Sequence, residues 1–236
     1  MLSLLPCQST NSKTVDINPS NRSYMESSFW LQKWATNNIG FHKSEANPML
    51  VKHFDALDLP KGSRLFLPLC GKTRDFAWLI SKGYSVAGAE LAELAIEQLF
   101  DELGVAPQIS SHGPLKLYQA ENIDIFVGDI FALTGQSLGS VDAIYDRAAY
   151  VALPAETRRR YSSHLKQITD NAPQLLITFD YDQNVMAGPP FSIPDAEVNT
   201  QYAGQYTLTH LESADVVGGL KGICAAKENV WLLASK

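Results

Sequence analysis

Glu90 stands about twenty residues after Gly71, the spacing at which an acid beside a tight turn meets a ribose. The stretch that holds them, LFLPLCGKTRDFAWLISKGYSVAGAEL (65–91), reads as strand, turn, helix, turn, strand. A carboxylate at the end of the second strand can accept hydrogen bonds from both ribose hydroxyls, so the ligand of such a site contains a nucleoside. The turn says which kind. Dinucleotide folds carry G-x-G-x-x-G and P-loops carry G-x-x-x-x-G-K-[ST], because phosphates must approach backbone N–H groups closely. Gly71-Lys72-Thr73 copies the end of a P-loop, but Phe66 stands where its first glycine belongs. A turn with one glycine is not built for phosphates. S-adenosylmethionine has a ribose and no phosphate, and it suits what is present. Taken alone, the spacing serves a plain strand–turn–helix equally well.

Two further segments add to it. VGDIFAL puts Asp129 and Ile130 just after a core strand, where an acid and an apolar side chain can hold an adenine. IYDRAAY puts Asp146 and Arg147 at the end of the following strand. An Asp-Arg pair is more often structural than chemical, unless it borders a cleft, as these strand ends do. Arg147 is read as favouring an anionic acceptor and Asp146 as orienting Arg147. Tyr150 and Asp180 are further candidates at the cleft. His42 is read as a turn or capping residue. Cys70 is read as packing, not as a nucleophile.

The elements that must position these residues alternate. Strands are expected at 64–69, 84–90, 141–147, 174–181, 206–213 and 229–235, with a hairpin strand and a core strand within 115–129. Helices are expected at 73–82, 92–103, 154–169 and near 194–202, with Thr73 as an N-cap and Gly83 and Gly104 as stops. The 92–103 helix is expected to bury Leu94, Ala95, Leu99 and Leu103. Upstream, ESSFWLQKWATN places Phe29, Trp30 and Trp34 on one helical face, and another helix starts after Asn47-Pro48. Alternation of this kind means an α/β fold with a mostly parallel sheet and helices on both faces. The last two strands lack a helix between them and form an antiparallel pair at one edge. In such sheets ligands sit beyond the carboxyl ends of the strands, where the strand order reverses.

The 236 residues make one domain, 25–236, preceded by a polar segment, 1–24, read as a tail or extension. A net charge of −6 argues against nucleic acid as a partner, and the Arg158-Arg159-Arg160 run is read as a solvated helix face. No apolar run is long enough to span a bilayer. The three cysteines show no C-x-x-C spacing, which argues against a zinc site or disulfide framework and fits a reducing cytoplasm. No metal is expected.

FWLQKWATNNIGFH, PLCGK, GDIFAL, YDRAAYVALP, FDYDQNVMAGPPFSIP and the terminal VWLL, in this order, resemble the thiopurine S-methyltransferase family, especially its bacterial members. The likeness runs from about Phe29 to the C-terminus. It implies a Rossmann-like class I methyltransferase with a seven-stranded central sheet, an N-terminal helical lid and S-adenosyl-L-methionine as cofactor. Carried over by position, it implies cofactor contacts at Trp34, Leu69, Glu90 and Arg147, with Asp129 and Ile130 flanking the adenine. The segment from Trp30 to Phe41 is implied to fold over the cofactor, with Phe41 and Phe191 bordering a small-molecule acceptor. Asp129 stands where some members have serine. The acceptor implied is a thiol or a selenium or tellurium species, and the protein a monomer. Two other readings stay open: a non-catalytic cofactor-binding protein on the same fold, and a methyltransferase for another small anion such as a halide. The missing G-x-G-x-x-G disfavours a nucleotide-dependent oxidoreductase.

Overall fold

The computed structural model describes residues 19–236, and side-chain surroundings from residue 27 onward. Most of the expected tail, residues 1–18, lies outside the described residues. Helix α1, Pro19–Ala35, begins before Met25, where the sequence reading starts the domain. Next come α2 (Pro48–His53), β1 (Arg64–Pro68), α3 (Asp75–Ser81), β2 (Ser85–Glu90) and α4 (Glu93–Leu103). Then follow β3 (Gln108–His112), β4 (Leu115–Ala120), β5 (Ile123–Val127), α5 (Gly135–Leu138), β6 (Ala143–Arg147) and α6 (Ala155–Ile168). The chain ends with β7 (Gln174–Tyr181), α7 (Asp195–Tyr202), β8 (Tyr206–Asp215) and β9 (Ala226–Ser235).

All strands join one sheet in the order β3-β4-β5-β2-β1-β6-β7-β9-β8. The central five are parallel; β9 runs antiparallel to β7, and β8 to β9. This is the expected antiparallel edge pair. The sheet has nine strands: the eight read from the sequence and, in addition, β3, so that β3 and β4 extend the far edge beyond the central seven that the resemblance implies. β4 is the expected hairpin strand. β3, QISSH, has only one apolar residue and is nearly all exposed, so it carries no hydrophobic alternation to betray it.

β1 and β2 are buried on both faces, which is why they read as continuous apolar runs. Leu65 and Leu67 pack with Leu50, Phe76, Leu79, Ile96 and Leu99 on one face. Phe66 packs with Tyr161, Leu165, Val198 and Tyr202 on the other. Gly104, left-handed at φ 68°, closes α4 as expected. The buried face of α4 is Ala95, Ile96, Leu99 and Phe100, while Leu94 is 39 % exposed. Ala95 and Leu99 are buried as expected and Leu103 packs half-buried against the core, so Leu94 alone departs from the expected face. The arginine run is also corrected. Arg158 is buried and holds Glu197 through Nε (2.6 Å) and Nη2 (2.9 Å), while Arg159 and Arg160 face solvent. Among the described residues no helix is long and apolar enough to cross a membrane.

Candidate active site

β2 and β6 lie on opposite sides of β1, so the strand order reverses at its carboxyl end. There the chain turns sharply, with Leu69 at φ 46° and Gly71 at φ 53°. A non-glycine residue in the left-handed region is strained and persists only where its surroundings enforce it. Glu90 is one of those surroundings. Its Oε2 accepts from the Gly71 N–H at 2.8 Å and its Oε1 from the Ala92 N–H at 2.9 Å. The residue is 6 % exposed, and burial pushes its pKa up, against the pull of those N–H groups. Each carboxylate oxygen keeps acceptor capacity beyond one bond, so Glu90 can still receive two hydroxyl donors.

Trp34 covers this turn. A Cβ placed on Gly71 would lie 2.8 Å from Trp34 Cζ2, so only glycine lets the indole sit there. Trp34 is 5 % exposed and packs with Ala92, Ala95, Ile39 and Phe41. The Phe41 ring meets the edges of Trp30 at 5.8 Å and Trp34 at 5.6 Å. Arg147 Nη1 donates to the Phe41 carbonyl at 3.2 Å, tying β6 to the covering segment. Trp34, Phe41, Leu69, Glu90 and Arg147 are thus brought together. The end of β5 joins them through Gly128 N–H, which donates to the Glu90 carbonyl at 2.8 Å. Asp129 is exposed, and its Oδ1 accepts from Phe131 N–H at 3.0 Å. Ile130 is buried in the core, its carbonyl held by His164 Nε2 at 2.8 Å. Phe191 stands apart from the Trp34 cluster. Its N–H donates to the Val151 carbonyl at 2.7 Å, and Arg158 lies 5.6 Å over its ring.

Several expectations are settled by partners. Asp146 does not orient Arg147 through a bond. Its Oδ1 accepts from Tyr150 N–H at 3.0 Å and its Oδ2 from Tyr161 O–H at 2.7 Å, within the core. Adjacent strand residues point to opposite faces, so Asp146 and Arg147 diverge. Tyr150 is core too, its hydroxyl donating to Glu197 Oε1 at 3.0 Å. Asp180 Oδ1 accepts from Ser192 Oγ at 3.3 Å. Lys72, the P-loop mimic, is ion-paired to Glu102 at 2.8 Å. Burial, then the Glu90 charge, pushes the Cys70 thiol well above its ordinary range, which suits packing and not attack. Sequence reasoning missed Asp75. Buried beside the turn, it accepts from Asn47 N–H at 2.7 Å and from Thr73 Oγ1 at 2.9 Å. It thereby ties the start of α2 to the start of α3. The Thr-x-Asp pattern after Gly71 was the available signal.

Burial raises the Asp146 pKa from 3.8 to about 6. The folded form then binds more protons than the unfolded form between these values. This contribution to stability is full below 3.8, falls as pH rises, and is flat above about 6. Asp146→Asn keeps an acceptor for Tyr150 and removes the titration. Denaturant unfolding of both proteins at pH 4 and pH 7 is expected to shift in favour of the variant by roughly 2 kcal/mol at the higher pH. An unchanged difference would mean Asp146 is not held as described.

The sequence pattern of the family described as thiopurine S-methyltransferase matches residues 25–236. A thiopurine S-methyltransferase of Xanthobacter autotrophicus is 54 % identical over 210 residues, 89 % of this chain and 99 % of that protein. One from Pseudomonas syringae pv. pisi is 43 % identical over 215 residues, 89 % of this chain and 99 % of its own. Among solved structures, a Burkholderia thailandensis 1,6-didemethyltoxoflavin-N1-methyltransferase with bound S-adenosylhomocysteine superposes at TM-score 0.64 and 13 % identity, covering 95 % of this chain and 94 % of that one. A Synechocystis magnesium protoporphyrin IX methyltransferase, also with S-adenosylhomocysteine, superposes at TM-score 0.55 and 14 % identity, covering 91 % and 98 %. At such identities these structures speak for the fold alone.

Proposed function

The chain belongs to the thiopurine S-methyltransferase family, a family of S-adenosylmethionine-dependent enzymes, and from that premise we propose that it methylates a small soft nucleophile: a thiol, thiopurines included, or a selenium or tellurium species. The observation that carries this is the buried Glu90 carboxylate, which braces the Gly71 turn and keeps acceptor capacity for a ribose. Trp34, Leu69 and Arg147 would complete the hold on the cofactor, with Asp129 and Ile130 beside its adenine. S-adenosylmethionine supplies a methyl group already activated by a positive sulfur.

What remains for the chain is alignment and exclusion of water. Trp30, Trp34 and Phe41 supply an apolar cover, and Phe191 the facing wall. Trp34, Leu69, Glu90 and Arg147 would hold the cofactor so that its activated methyl group faces the acceptor. Soft acceptors lose a proton near neutral pH, so no strong base is required. Arg147 gives one N–H to Phe41 and has others with which to favour an anionic acceptor. We place the reaction in the cytoplasm and in a monomer; the free thiols of Cys70 and Cys224 accord with a reducing compartment.

The test is an acceptor screen with methyl-labelled cofactor, covering thiopurines, aromatic thiols, selenite and tellurite. Label in at least one methylated product is expected. Cofactor binding with no transfer to any of them would favour a non-catalytic binder.

A further inference from the structure

We propose that Asp75 is a positioning residue for the cofactor: it latches the far end of the covering segment, at Asn47, to the turn that holds the ribose. The proposal rests on the reading above, in which Glu90 and the Gly71 turn meet S-adenosylmethionine.

The GKTRD stretch imitates the end of a P-loop, and the structure gives its polar side chains a different task. Lys72 and Arg74 share one partner. Glu102, at the end of α4, pairs with Lys72 at 2.8 Å and with Arg74 at 3.1 Å. Thr73 and Asp75 serve another. Asp75 is 1 % exposed; its Oδ2 accepts from Thr73 Oγ1 at 2.9 Å and its Oδ1 from Asn47 N–H at 2.7 Å. Thr73 Oγ1 accepts in turn from Asp75 N–H at 3.3 Å. One buried carboxylate thus joins the cofactor turn to a residue 28 positions earlier in the chain. A hydrogen bond to a buried charge is among the strong ones.

Asn47 ends the covering segment and begins α2. Its side-chain Oδ1 accepts from Met49 N–H at 2.8 Å and from Leu50 N–H at 3.3 Å, which caps the helix, and Leu50 is buried in the main core. The stretch from Trp34 to Asn47 is therefore a strap held at three places. Trp34 sits on Gly71, Arg147 holds the Phe41 carbonyl, and Asp75 holds the Asn47 N–H. The first two lie in a small apolar cluster of Trp34, Ile39 and Phe41 with Ala92 and Ala95. The third is anchored to the main core through α2. The strap has a firm end and a looser one, and the looser one covers the turn. Binding of the cofactor must order that looser part. An end already fixed leaves less chain to order, so Asp75 favours binding without itself meeting the ligand.

The test is a double-mutant cycle on S-adenosylhomocysteine affinity, read by titration calorimetry for the wild type, Asp75→Ala, Trp34→Ala and the pair. Asp75→Ala alone is expected to weaken binding roughly tenfold. In the Trp34→Ala background the strap no longer presses on the turn, and the same change is expected to cost less than about twofold. Asp75→Asn keeps an acceptor for the Asn47 N–H and is expected to bind nearly as the wild type does. Losses that add in the cycle would mean that Asp75 acts on the turn alone, and would overturn the proposal. So would an Asp75→Asn variant as weak as Asp75→Ala. Hydrogen exchange in the free wild type needs no variant to fold. The Asn47 amide is expected to exchange at least about tenfold more slowly than those of residues 36–38, which are hydrogen-bonded too. Equal rates would overturn the latch. No binding of S-adenosylhomocysteine by the wild type would overturn the reading of the site beneath it as well.

Discussion

Glu90→Ala is expected to weaken S-adenosylmethionine binding by about 2–4 kcal/mol, or roughly 30- to 1,000-fold, because two buried ribose hydroxyls lose a charged acceptor. The same change strands the N–H groups of Gly71 and Ala92, which Glu90 now satisfies. A loss of stability of about 1–3 kcal/mol for each stranded group is expected beside the binding defect. Titration calorimetry at a temperature where the variant is folded separates the two effects. Glu90→Gln keeps one acceptor oxygen and should fall between. The pH dependence has a definite sign. Burial sets the folded pKa of Glu90 above 4.5, and the ribose contact needs the ionised form. Affinity is therefore lost as pH falls, starting at a higher pH than an ordinary glutamate would give. Unchanged affinity in Glu90→Ala would remove this carboxylate from the site.

The next largest effect is expected at Gly71. Alanine there must adopt φ near +53° and put a methyl group 2.8 Å from the Trp34 ring. The backbone strain alone costs about 1–2 kcal/mol, and the indole must leave the turn. Gly71→Ala should weaken cofactor binding by about one to two orders of magnitude, since misplaced cover and turn act on the same ligand. Trp34→Ala alone should raise KM for the cofactor. Adding Trp34→Ala to Gly71→Ala should cost much less than it does in the wild type, because the clash has gone; contacting residues couple in this way. Additive losses in the double-mutant cycle would mean that Trp34 and Gly71 do not touch in solution.

Much of this site was legible because it rests on local signals. The strand–turn–helix–turn–strand unit follows from two fully buried strands and the glycines that punctuate them. Glu90 follows from its place at a strand end. Trp34 was harder, since a tryptophan on a helical face reads first as core. It is in fact packed, but on the one glycine that leaves it room. The orienting role read for Asp146 failed on a rule already in the sequence: neighbours on a strand face opposite ways, so it turns away from Arg147. Arg158 was misread because its partner, Glu197, lies in another helix, and no local pattern announces it. β3 was invisible because an exposed edge strand needs no apolar residues.

Hydrogen exchange with and without saturating S-adenosylhomocysteine tests the location of the site most directly. Residues 27–41 cover the turn through a small cluster and should open more readily than β1 or β2 in the free protein. Ligand is expected to protect residues 34–41, the turn at 69–72, the amides at 90–92 and the segment at 129–131 together. Equal protection in both states across these segments, at a ligand concentration shown to saturate the protein, would contradict the account.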